Sequence, residues 1–264
     1  MSIGAAALDV RRRRAVAGLA VGGLAAAAWV ALAVWEASAY GRYLDHDGLM
    51  GSGLGDAALL AVFLAGWLLM LVAMMLPSTL SLVGLFMGVI AHRRDRRGIL
   101  ASLIGGYLVV WLGAGLVALA ADTALHGLSR HVGWIESHPW AVAAAVVALA
   151  GAYQFSPVKE RCLEKCRSPR LLIFAAWRGQ RPVAEAFTLG VRHGRYCVGC
   201  CWALMLVMFA VGGAHLGWML ALAVIMFVEK AVAWGRAMTA AVGLVLAGWG
   251  LGLLLQIPGL PLPF

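Results

Sequence analysis

Apolar residues in this chain come in long runs separated by short charged breaks. That is the pattern of helices that lie in lipid. The runs expected to span cover about residues 15–35, 57–77, 99–121, 139–155, 197–213, 216–234 and 237–255. Most approach the roughly 20 residues that cross a hydrocarbon core of about 30 Å. One run differs in shape: Ala57–Ala91 is continuously apolar but broken by Pro77. As one straight helix it would run about 52 Å, too long for a bilayer, and cut in two its second piece would be too short. The expected form is one span to Pro77, a kink, and an extension toward the interface. The fold class is therefore all-α, a polytopic transmembrane helix bundle of about seven helices forming a single integral membrane domain over 1–264.

Charge orients the bundle. With the N-terminus cytoplasmic, 19 of the 21 Lys and Arg fall inside: Arg11–Arg14, Arg93–Arg97, a basic connection over 156–196, and Lys230 with Arg236. Only Arg42 and Arg130 fall outside, and splitting 57–91 into two spans would reverse every later loop. Residues 36–56 are expected as a polar, glycine-rich outer loop with Asp45 and Asp47. The basic start, the apolar run and Ala37-Ser38-Ala39 also fit a cleaved signal peptide, which would leave six helices. The apolar part is longer than a signal core, so retention as the first helix is expected.

Composition agrees with a membrane protein. Hydrophobic residues make up 63% of 264 and charged residues 12%, about half the charged fraction of a soluble domain; mean hydropathy is +0.89. A net charge of +9 would suggest nucleic acid in a soluble protein. Here the basic residues sit in short loops, so no nucleic-acid partner is expected and the bilayer is the first partner. Eighteen Arg against three Lys, with abundant Ala, hints at a GC-rich genome and a bacterial cytoplasmic (inner) membrane.

Candidate chemistry centres on Tyr196–Met208, YCVGCCWALMLVM. Cys197, Cys200 and Cys201 take the i, i+3, i+4 positions of one helical face, which continues past Leu204 to Met208. Cys162 and Cys166 are four apart and share a face if their segment is helical. An odd set of five cysteines, all between 162 and 201, fits reduced thiols or a metal site better than a disulfide scaffold. They suffice for four-sulfur zinc or for Cu(I) of lower coordination. Lys159, Arg161, Lys165 and Arg167 would favour thiolate. A single cysteine is usually apolar filler, but five in two close sets are not.

The second helix adds Met70, Met74, Pro77 and Ser81 on one stripe, with Met75 adjacent. Thioethers bind Cu(I) without carrying charge into lipid, although methionine is also ordinary packing material. Glu229 and Lys230 interrupt the sixth helix, Glu229 as a charge-balancing candidate and Lys230 as a snorkelling anchor. Pro77, Cys197 and Glu229 all fall in the cytoplasmic leaflet, beside Cys162 and Cys166. His193, four residues before Cys197, is a further candidate ligand. Asp122, His126, His131, Glu136 and His138 form an outer set that solvation explains, as it does His92 and His215.

The strings WLLMLVAMMLP, GAYQFSPVKERCLEKCRSP and GVRHGRYCVGCCWALMLVMFAVGG, followed by FVEK, resemble the predicted metal-binding integral membrane proteins. This bacterial family of unknown function has members often labelled copper-chaperone-like. The resemblance covers about residues 57–235. It falls on Met74, Met75 and Pro77; on Tyr153, Gln154, Pro157 and Lys159; on Cys162 and Cys166; on Gly199, Cys200, Cys201 and Trp202; and on Glu229 and Lys230. It implies metal handling by those residues.

Together these readings give a membrane protein that binds Cu(I), with zinc second. Cys200 and Cys201 are core ligands, and Cys197, Cys162 and Cys166 auxiliary ones. Met74, Met75 and Met208 are intramembrane steps, and Glu229 balances charge. A metal-donor or acceptor protein is the expected partner, and self-association into an oligomer is compatible. No catalytic residues stand out and the reading leans away from an enzyme. Two alternatives stay open: a copper-dependent membrane oxidase or monooxygenase component, and a thiol–disulfide carrier using Cys197 and Cys200. Sulfur ligands favour transfer over oxygen chemistry, and no thioredoxin-like pattern accompanies the cysteines.

Overall fold

The computed structural model describes residues 3–44, 48, 53, 55–210 and 215–255, and every regular element among them is helical. In chain order these are α1 (Ile3–Ala37), a 3-10 turn (Gly41–Leu44), α2 (Asp56–Met74), a second 3-10 turn (Pro77–Thr79), α3 (Leu80–Val89), α4 (Arg96–His131) and α5 (Gly133–Ser137). Then follow α6 (Pro139–Tyr153), α7 (Pro157–Arg167), α8 (Pro169–Ala176), α9 (Pro182–Ala210), α10 (Leu216–Ala231) and α11 (Gly235–Leu254). Asp45 and Asp47 of the expected outer loop lie outside the described residues.

Among the described residues, four helices are long and apolar enough to cross a membrane: Gly18–Ala37, Asp56–Met74, Arg96–Ser129 and Gly235–Leu254. A fifth follows if α6 and α7, bent by 63°, count as one broken span. The expectation of seven is thus met by four or five on length and composition. The two remaining runs take other forms. α9 starts at Pro182, fifteen residues before the expected span, and carries Glu185, Arg192 and Arg195 in its first half. α10 has 16 residues, about 24 Å of helix. Outward-facing Leu19, Val117, Leu244 and Val245 are exposed in this chain by itself, as lipid-facing side chains are.

The kink at Pro77 forms as expected. α2 ends at Met74, and proline removes the N–H that would continue the ladder. Ser78 and Thr79 hydroxyls donate to the Met75 and Leu76 carbonyls at 2.7 and 2.8 Å. The turn therefore keeps its polar groups satisfied inside the protein, as a membrane interior requires. The connection over 156–196, expected as a basic loop, is largely helical. Ser156 caps α7, accepting from the Val158 N–H at 3.1 Å, with Pro157 at the first helical position.

Glycines set the close helix contacts, as lipid offers no hydrophobic drive to press helices together. α4 lies against α9 where Gly106 meets the Phe187 carbonyl and Gly190 meets the Leu103 carbonyl; a Cβ at either would collide with backbone. α6 and α11 pair the same way through Gly151 and Gly250. Two buried clusters result. The larger draws on α1, α2, α4, α6, α7, α9, α10 and α11. The smaller lies between α3, α4, α8 and α9.

Ahead of α9 the chain turns at Gly179, where φ is +77°, a left-handed value natural to glycine. The Glu185 carboxylate accepts from four successive backbone N–H groups, Arg178 (2.7 Å), Gly179 (2.6 Å), Gln180 (3.1 Å) and Arg181 (3.0 Å). The Arg181 N–H, then those of Arg178, Gly179 and Gln180, bring its pKa down to about 2.

Two outcomes follow. Gly190→Ala should cost about 1–3 kcal/mol through overpacking between α4 and α9, read by denaturation in detergent; unchanged stability would contradict the contact. A depressed carboxylate pKa means that the Glu185 clamp is complete above about pH 4.3 and is lost as pH falls toward 2. Amide exchange at 178–181 should therefore accelerate across that window in the wild type. Glu185→Gln should show no such step.

Candidate metal centre

The candidate centre is assembled where α7 and α10 meet the middle of α9. Cys197, Cys200 and Cys201 share one face of α9, and all three are buried. α7 approaches that face because Gly199 has no side chain: a Cβ there would sit 2.6 Å from Cys162 Sγ. The approach brings Cys166 Sγ to 3.9 Å from Cys200 Sγ, and Cys200 Sγ lies 3.5 Å from Cys201 Sγ. Tyr153 fixes the same stretch, its hydroxyl donating to the Gly199 carbonyl at 2.6 Å and its ring packing edge-on to Trp202. Cys200 Sγ itself lies 3.2 Å from the Cys197 carbonyl.

A tetrahedral thiolate site with metal–sulfur bonds of about 2.3 Å has sulfur–sulfur edges of about 3.8 Å. The two contacts above lie on either side of that value. The cluster is nonetheless closed on itself: among the described residues no three His, Cys, Asp or Glu side chains form a ready-made cage for an ion. The thiols touch as neighbours rather than surround a common point, so a bound ion would require them to turn.

Cys197 is held by groups from three other parts of the fold. The Lys230 ammonium on α10 lies 3.0 Å from its sulfur, and the Tyr107 hydroxyl on α4 lies at 3.2 Å. Lys230 also donates to Ser78 Oγ at 3.3 Å and reaches Met75 Sδ at 4.0 Å. The second cation, Lys159 on α7, bonds Glu229 Oε2 on α10 at 2.8 Å, and both side chains are 1% exposed. The other Glu229 oxygen has no hydrogen-bond partner among the described residues. Chemically the site offers soft sulfur donors, an ammonium able to offset a thiolate, and a buried ion pair beside them.

The expected site residues divide accordingly. Cys166, Cys197, Cys200 and Cys201 come together with Met75 at their edge. Cys162 lies one turn from Cys166, half-exposed, against Gly199. Met74 belongs to the same buried cluster. Met208, eleven residues beyond Cys197 in that cluster, is about 16 Å farther along α9. Glu229 contacts Lys159 rather than sulfur. His193 is buried with its ring 5.7 Å from that of Tyr107, facing a small apolar cavity between Leu76, Val83 and Leu103. His126 bonds back to the Asp122 carbonyl and His138 to the Trp134 carbonyl; the Glu136 side chain lies outside the described residues.

One participant escaped the sequence reading, and two that it named take other roles. Tyr107 carried the only available signal for itself, a phenol inside an apolar run. Lys230, expected as a snorkelling anchor, points inward to Cys197 because the kinked turn offers Ser78 as a second partner. Lys159, expected to favour a thiolate, spends its charge on Glu229.

The sequence model of the PpoB2 family, described as copper chaperone, matches residues 64–253. No curated protein and no solved structure matches the chain.

Breaking a buried pair leaves an uncompensated charge, so Glu229→Leu should destabilise the protein by about 3–5 kcal/mol. Lys159→Met combined with Glu229→Leu should recover most of that loss. Denaturant unfolding in detergent of the two single variants and the double variant measures it. Strictly additive losses would show that the two groups do not interact.

Proposed function

Because this chain belongs to the PpoB2 copper chaperone family, we propose that it is a multi-pass membrane protein that holds Cu(I) on the thiols of α7 and α9 and hands it to a partner protein. The observation that carries the reading is the buried thiol set Cys166, Cys197, Cys200 and Cys201, drawn from two helices at spacings near those of a metal–thiolate site.

Copper is the cargo. Thiolates beside thioethers suit Cu(I), a soft ion, and zinc is the second choice for four sulfurs. Cys200 and Cys201 are the core ligands, with Cys197 and Cys166 completing the set. Cys162, half-exposed one turn away on α7, relays the ion between the cluster and the rim. Met75 is the nearest thioether; Met74 and Met208 are steps within the bundle. Lys230 offsets the charge of the emptied Cys197 thiolate. Glu229 acts indirectly, through its hold on Lys159, rather than as a ligand.

The positive-inside pattern supports seven helices with a cytoplasmic N-terminus in a bacterial inner membrane. On that orientation the thiol cluster lies in the cytoplasmic leaflet and exchange occurs on the cytoplasmic side. Sulfur donors with histidine only at the edge support transfer over the oxidase alternative.

Full-length protein purified in detergent and loaded with Cu(I) should bind it, with only sulfur neighbours in its X-ray absorption spectrum. Cys200→Ser/Cys201→Ser should lose most of that copper. Wild-type copper content in the double variant would sink the proposal.

A further inference from the structure

The two buried clusters of this protein are made of different chemistry. Nine methionines are described, and the seven buried ones all belong to the larger cluster, which also holds the four buried thiols. None of the ten buried residues of the smaller cluster carries sulfur, and the one methionine packed against them, Met87, is only half-buried. Both fill space between apolar helices, so a need for flexible packing material would distribute methionine to each. Met87 and Met238, outside the larger core, are only half-buried. Sulfur is concentrated along the helices that meet at Cys197.

Their order along the bundle follows from one contact. Lys230 of α10 touches Cys197 of α9, and only five residues separate the two helices, so α10 must run back against α9 to reach it. Measured from that level at 1.5 Å per residue, Cys201 on α9 and Met226 on α10 both lie about 6 Å away. Met205 lies at about 12 Å, and Met208 and Met219 both at about 16 Å, since each is eleven residues from its reference. On α2, Met75 touches Lys230 and Met70 lies five residues back along the helix, about 7 Å. No axial step between successive sulfurs exceeds about 6 Å. The last level sits within three residues of the end of α9, at Ala210, and of the start of α10, at Leu216.

We infer that these thioethers form a conduction path for Cu(I), leading from the thiol cluster to the opposite end of the α9–α10 pair. The protein then passes copper through the membrane instead of only holding it at one side. Met226, Met205, Met208 and Met219 are its successive stations, with Met70 beside the first. A neutral thioether takes Cu(I) from its neighbour by ligand exchange, so the ion moves with no change of oxidation state and no new buried anion. This rests on the reading of the thiol cluster as a Cu(I) site.

The test uses full-length protein in sealed liposomes, with Cu(I) kept reduced outside and a Cu(I)-specific chelating dye inside. Wild type should carry Cu(I) to the dye. Met208→Leu/Met219→Leu conserves volume and should retain the copper bound by the thiols. Its rate of delivery should fall by about tenfold or more, because an ion without ligands faces a higher barrier in an apolar interior. Met87→Leu, at the edge of the smaller cluster and away from the thiols, should leave both quantities unchanged. Delivery by the double variant within about twofold of wild type, or wild type that binds copper and delivers none, would overturn the path while leaving the thiol site standing. Wild type that binds no Cu(I) would remove the thiol site and the path together.

Discussion

The buried ion pair between Lys159 and Glu229 is the constraint on which the centre depends. It joins α7 to α10 at 2.8 Å with both groups almost wholly removed from solvent. Two charges in an apolar interior are tolerable only together, so their helices cannot separate independently. α7 carries Cys166, α10 carries Lys230, and α9 meets both with its three cysteines. The pair thus fixes which sulfurs face one another without itself touching a sulfur. Gly199 completes the arrangement from the other direction, since only a missing side chain lets α7 come that close.

Around this point the bundle separates two kinds of interior. The aliphatic cluster between α3, α4, α8 and α9 is packing, and it seats the helices that flank the basic rim. The sulfur-bearing cluster is packing that also has donor atoms. Tyr107 stands where the two meet, with His193 on one side and Cys197 on the other. The glycine contact of α4 with α9 places that tyrosine. Fold and chemistry therefore share the same interface.

Local features were legible in the sequence because they are local. The rotation of a helix puts Cys197, Cys200 and Cys201 on one face wherever the helix goes, and a missing N–H at Pro77 breaks a helix in any setting. The same logic placed Cys162 beside Cys166. The pairing of Lys159 with Glu229 joins positions 70 residues apart, and no local pattern encodes it. Lys230 illustrates the limit well. Near a helix end, snorkelling is the ordinary fate of a lysine, and only the inward turn at Ser78 and the thiol at Cys197 give it a better one. The seven expected spans and the four or five long apolar helices among the described residues differ for a related reason. Hydropathy sees apolar runs, whereas α9 continues as one helix from a charged half into an apolar half.

A core built partly from sulfur also ages differently from one built from hydrocarbon. Oxidation of a methionine to its sulfoxide turns a flexible apolar chain into a polar one, and in the larger cluster any of seven sites can take that damage. Its cysteines add a second route, through sulfenic acid to irreversible products. No buried residue of the smaller cluster carries sulfur. Burial shields the sulfur of the larger one, so the protein's working lifetime is set by how rarely its interior opens to oxidants as much as by its folding free energy.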